Sequence, residues 1–107
     1  MDHTERLRRL TINDSRAGGE ALSFSTDDSL TLDPKAVALV RLAAIVAVHG
    51  AVASLGAQSD TALAAGASTS EIVDVLVAVA PVVGLPCTVA AAPRLALALG
   101  YDLEDEL

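Results

Sequence analysis

Residues 33–48, DPKAVALVRLAAIVAV, decide the fold class. Asp33 suits an N-cap, because its short carboxylate can accept from the free N–H groups of a first helical turn. Pro34 follows at the first helical position, where its missing N–H costs nothing and its fixed φ is already helical. Behind them runs a stretch of Ala, Val and Leu in which Lys35 and Arg41 are the only charges. The spacing predicts a helix from Pro34 to about Val48. It closes near His49-Gly50, where glycine takes a left-handed conformation without penalty.

The same punctuation recurs downstream. A second helix is expected over Ala51 to Ala65, stopped by Gly66. Ser68-Thr69-Ser70-Glu71 has the spacing of a capping box, in which the Ser hydroxyl and the Glu carboxylate each satisfy an orphan backbone N–H, and it opens a third helix. Pro81 should kink or end that helix. Gly84-Leu85-Pro86 reads as a turn with proline at the head of a fourth helix, which runs to Leu99 with a kink expected at Pro93 and stops at Gly100. Ile72 to Val79 alternates in part, but Asp74 falls where a buried strand needs an apolar residue. The fold class is therefore all-α, a small antiparallel helical bundle.

Upstream, residues 1–32 mix charge, Gly18-Gly19, Ser and Thr, with a helical turn or two around Thr4 to Leu10. They form an N-terminal arm. Leu22, Phe24, Leu30 and Leu32 are either anchors for another surface or parts of a partly ordered tail. Residues 33–101 are the helical domain, and residues 102–107 an acidic tail carrying Asp102, Glu104, Asp105 and Glu106.

With 107 residues, 52% of them hydrophobic and 20% charged, the chain is one folding domain and not a disordered one. Phe24 and Tyr101 are its only aromatics, so the core is built from Ala, Val and Leu, and base-stacking platforms are excluded. The net charge of −7 lies entirely outside the bundle, since residues 34–100 carry Lys35, Arg41 and Arg94 against Asp60, Glu71 and Asp74. No segment supplies the basic face that nucleic acid requires. Those six charges are too few for the surface of a small soluble monomer, where roughly 25 to 35% is usual. Much of the bundle surface should be covered by copies of the chain. A membrane is the poorer alternative: residues 75–93 are uncharged, but Pro81, Gly84, Pro86 and Pro93 interrupt them and basic flanks are missing. The charged N-terminus lacks the apolar core of a signal peptide, which points to the cytoplasm. Cys87 cannot form an internal disulfide, being the only cysteine, and reads as a small core residue.

Chemistry is sparse. Ser54, Gln58 and Thr61 fall on one face of the second helix, and such a stripe either bonds to neighbouring backbone or faces a ligand. Arg41, interrupting an apolar run, is an interface ion-pair partner or a clamp for a carboxylate. His49 is the only histidine of the bundle. It sits in a turn and is the one side chain of the bundle that reads as an acid or base. Glu71 is explained by its cap. No metal-ligand spacing, Ser/His/Asp set or phosphate loop is present, so neither a metal nor another cofactor is expected.

Four segments stand out together: Leu32-Asp33-Pro34-Lys35 followed by Leu39-Val40-Arg41-Leu42-Ala43-Ala44, Ala62-Leu63-Ala64-Ala65-Gly66-Ala67 before the Glu71-Ile72 helix start, Gly84-Leu85-Pro86, and Ala92-Pro93-Arg94-Leu95-Ala96-Leu97-Ala98-Leu99-Gly100-Tyr101. In these segments the chain resembles the carboxymuconolactone decarboxylase family, which includes the alkylhydroperoxidase D-like proteins. The resemblance implies a small all-α protein assembled as trimers, hexamers or larger rings, with a pocket between subunits. In the redox members two cysteines and a histidine would fall at Ala51, Ser54 and Gln58, and all three are replaced here. Disulfide exchange needs two thiols within reach, which disfavours peroxidase activity. What the resemblance leaves is a non-redox small-molecule enzyme, a decarboxylase, lyase or isomerase of a carboxylate or lactone. The polar stripe with Arg41 near it in sequence, not the resemblance, then suggests Arg41 and Thr61 as substrate-binding and Ser54, Gln58 and His49 as catalytic residues. The alternative is a non-catalytic oligomeric binding or scaffold protein.

Overall fold

The computed structural model describes residues 2–12 and 30–101, and every regular element among them is an α-helix. In chain order these are α1 (His3–Thr11), α2 (Pro34–Ala47), α3 (Val52–Ala64), α4 (Thr69–Val83) and α5 (Leu85–Ala98). The chain divides into two compact units, Met1–Thr31 and Leu32–Leu107.

In the first unit, the Asp2 side chain caps α1 by accepting from the Glu5 N–H. Arg8 and then Arg9 hold the Glu5 carboxyl down to about 2 from its ordinary 4.5. Leu22 and Phe24, expected as anchors, and the acidic tail lie outside the described residues.

In the second unit α2 packs on α3 and α4, and α5 packs on α3 and α4 and, less extensively, on α2. The inward rows are regular. Ala38, Leu42 and Val46 come from α2, Leu55 and Ala62 from α3, Ile72, Val75 and Leu76 from α4, and Ala91 and Leu95 from α5. Leu42, Leu55, Ile72 and Leu95 are fully buried, each worth roughly 1.5 to 3 kcal/mol on leaving water. Small residues let the helices approach: a Cβ placed on Gly56 of α3 would meet the Ala98 Cβ of α5 at 3.9 Å.

Capping explains where the helices start. Asp33 accepts from the Ala36 N–H at 2.7 Å with Pro34 directly behind it, and the Ser68–Glu71 capping box is complete in both directions at 3.0 Å. Pro81, expected to kink or end its helix, sits inside α4, which continues to Val83. Gly84 alone separates α4 from α5. It adopts φ +89°, a region open to glycine, and supplies the N-cap of α5 with no side chain to help. Pro93 likewise lies within α5.

The outer rows are as apolar as the inner ones. Along α5, Leu85, Val89, Pro93 and Leu97 succeed one another every fourth residue on the exposed face, and Val73, Val77 and Pro81 do the same along α4. Val82 keeps 85% of its surface in solvent and Val77 69%, which is unusual for side chains with no polar end. Among the described residues, no helix is long and apolar enough to cross a membrane.

Candidate functional site

The residues expected to carry chemistry fall into two groups. The first straddles α2 and α3. Gln58, half-buried, donates its Nε2 to the carbonyl oxygen of Ala38 at 3.3 Å, which ties the second turn of α3 to the second turn of α2. A carbonyl oxygen has two lone pairs, so Ala38 accepts this bond beside its helical one. Arg41 lies one turn farther along α2, half-buried and engaged. Ser54 is exposed one turn before Gln58. Thr61 is exposed as well, with its hydroxyl donating to the Ala57 carbonyl of its own helix at 3.0 Å. Of the polar stripe, then, Gln58 and Thr61 are bonded to backbone.

His49 stands apart, beyond the C-terminal end of α2. Along that helix it is roughly 17 Å from Ala38, and hence from the Gln58 amide. Its backbone is unusual: φ is +60°, and it is the one non-glycine among the described residues in the left-handed region. Two hydrogen bonds close the turn around it, His49 N–H to Val46 O at 3.2 Å and Gly50 N–H to Ile45 O at 2.8 Å. A glycine comes next, and a Cβ at position 50 would run into Ile45 Cγ2, so that side chain or the turn would have to shift.

What the turn delivers is a contact with α5. Cys87 Sγ lies 4.0 Å from His49 Nδ1 and donates to the Val46 carbonyl at 3.6 Å. Cys87 is half-buried and outside the core cluster that its apolar neighbours suggested for it. Sequence reasoning missed this pair, since 38 residues separate its members and neither lies in a recognisable motif.

Other features are modest. A shallow groove of about 280 Å³ is lined by Leu39, Glu71, Asp74, Val75 and Ala78, none of them an expected site residue. At its edge Glu71 accepts from Lys35 Nζ at 3.0 Å, linking the first turns of α2 and α4. The Ser68 N–H first, and Lys35 second, hold the Glu71 carboxyl below its ordinary value. Ser59 of α3 is buried, and its hydroxyl has no hydrogen-bond partner among the described residues. No group of three or more His, Cys, Asp or Glu among them is arranged to hold a metal.

Compared with the models of known protein families, with characterised proteins and with solved structures, the chain shows no significant match.

Proposed function

We propose that this chain is a homo-oligomeric protein of the carboxymuconolactone decarboxylase type, acting without redox chemistry on a small carboxylate or lactone in a pocket completed where copies meet. The observation that carries the reading is the exposed apolar surface of α4 and α5, continuous from Leu85 to Leu97 on one helix and from Val73 to Pro81 on the other. Covering such rows removes apolar area from water at about 25 cal/mol per Å², and a second copy offers a matching uncharged surface.

In this reading Arg41 holds the substrate carboxylate, Thr61 and Ser54 contact it, and the Gln58 amide orients it or polarises a carbonyl. His49 is too far along α2 to serve the same chain's Gln58. Contributed by a second copy, it is the one imidazole of the helical unit able to move a proton. The absence of a second cysteine argues against thiol peroxidase chemistry.

A second reading, an oligomeric binding or scaffold protein without catalysis, draws support from the bonds that Gln58 and Thr61 already make to backbone. Two measurements separate the outcomes. Sedimentation of the intact chain should show trimers or hexamers, and a strictly single-chain species overturns both readings. Calorimetric titration with small carboxylates and lactones should then show binding that Arg41→Ala and Ser54→Ala abolish while the oligomer persists. Binding unmoved by either change sinks the enzyme reading and leaves the scaffold.

A further inference from the structure

The only cysteine of the chain and the only histidine of its helical unit are brought side by side by folding. Cys87 is the third residue of α5, in the first turn. Thr88 N–H is the earliest in that helix to bond back to the Gly84 carbonyl, at 3.2 Å, so the N–H groups before it project past the helix end. The positive end of the helix thus lies where negative charge would form on the sulfur. Across from it, the left-handed turn at His49 sets the imidazole with Nδ1 toward the thiol. A neutral imidazole protonated on Nε2 presents Nδ1 as an acceptor. Turning the S–H about the Cys87 Cβ–Sγ bond redirects it from the Val46 carbonyl at 3.6 Å toward that nitrogen at 4.0 Å.

We propose that Cys87 is a nucleophile served by His49 as its base, and that the pair takes a soft carbon electrophile, an alkene conjugated to a carbonyl. The thiol proton passes to His49 Nδ1, and the sulfur lone pair forms a C–S bond at the β-carbon. The alkene π pair moves toward the carbonyl as an enolate, and the imidazolium returns the proton to the α-carbon. An S–H bond and a C=C π bond are exchanged for a C–S and a C–H bond, with no oxidant or reductant involved. Peroxide reduction, by contrast, needs a second thiol to release the oxidised sulfur, and this chain has none. Both partners belong to one chain, so the inference needs no oligomer, although it draws on the same His49 that the proposed intersubunit pocket uses.

The test uses N-ethylmaleimide on the full chain, with adduct formation followed by intact-mass spectrometry near neutral pH. The folded protein should form its single adduct at least ~10-fold faster than the same chain unfolded in urea, since a positioned base and a helix N-terminus act only in the folded state. His49→Asn, chosen because Asn tolerates the left-handed backbone, should remove most of that advantage and leave only what the helix N-terminus contributes. A folded chain that reacts no faster than the unfolded one overturns the proposal. So does a His49→Asn protein with intact helical circular dichroism and wild-type rate. Should that variant fail to fold, the comparison of folded with unfolded wild type decides alone.

Discussion

Where α2 begins, side chains close the helix; where it ends, the backbone does so. At the first end Asp33 caps α2, Ser68 and Glu71 cap α4, and Lys35 ties the two helices together through the Glu71 carboxylate. At the second end neither α3 nor α5 has a side-chain cap, and the turn depends on His49 at φ +60° and on the missing side chain of Gly50. The difference teaches where each kind of end is useful. A capped end satisfies its donors with its own polar groups and has little chemistry left to offer. The other end leaves donors and a thiol–imidazole pair open, in a conformation that tolerates few substitutions.

The sharpest way to break this contrast is Gly50→Ala. The new Cβ meets Ile45 Cγ2, and the Ile45 side chain together with the turn must shift. A loss of roughly 1 to 3 kcal/mol is expected in urea unfolding, together with slower maleimide addition at Cys87. Unchanged stability would show that the backbone end is not held as argued. At the capped end, Ser68→Ala should lower stability by about 1 kcal/mol, the usual worth of an N-cap hydroxyl, and leave the Cys87 rate unmoved. A change in that rate would couple the two ends and spoil their separation.

A glycine inside α3 supplies the counter-case to Gly50. A Cβ on Gly56 makes only an ordinary contact with Ala98, so Gly56→Ala should raise stability by roughly 0.5 to 1 kcal/mol through helix propensity and a less flexible unfolded chain. A fall in melting temperature would mean that α3 and α5 need a closer approach than the contact shows. The smallest effect concerns pH. Because the folded Glu71 carboxyl is held below its ordinary 4.5, its contribution is fully present above that value and is lost as the pH falls through the lower, folded one. The gap in melting temperature between wild type and Glu71→Gln should therefore be constant toward neutrality and narrow below 4.5. A gap independent of pH would show that the carboxylate charge contributes nothing at this exposed pair.

Legibility followed sequence distance. The starts of α2 and α4 are readable because Asp33 with Pro34, and Ser68 with Glu71, act within one helical turn of themselves. Gly66 and Gly100, at φ +101° and +85°, likewise mark helix exits by a local requirement. The prolines were legible in part: Pro93 lies inside α5 as read, and Pro81, read as a kink or an end, sits two residues before α4 ends at Val83. The polar stripe of Ser54, Gln58 and Thr61 was visible as a periodicity. That the Gln58 amide reaches the Ala38 carbonyl was not, because the partner is a backbone atom 20 residues away.

The sequence alone thus determined the helical class, the places where helices begin and end, and the shortage of charge on their surfaces, all properties that depend on neighbours within a turn or on composition. Only the tertiary structure decided that Gln58 is bonded to α2, that His49 lies far from it, and that the imidazole meets the thiol of Cys87 instead. Helix capping acts at close range along the chain, whereas a contact across 38 residues exists only once the packing of α2 against α5 has set where two helix ends meet.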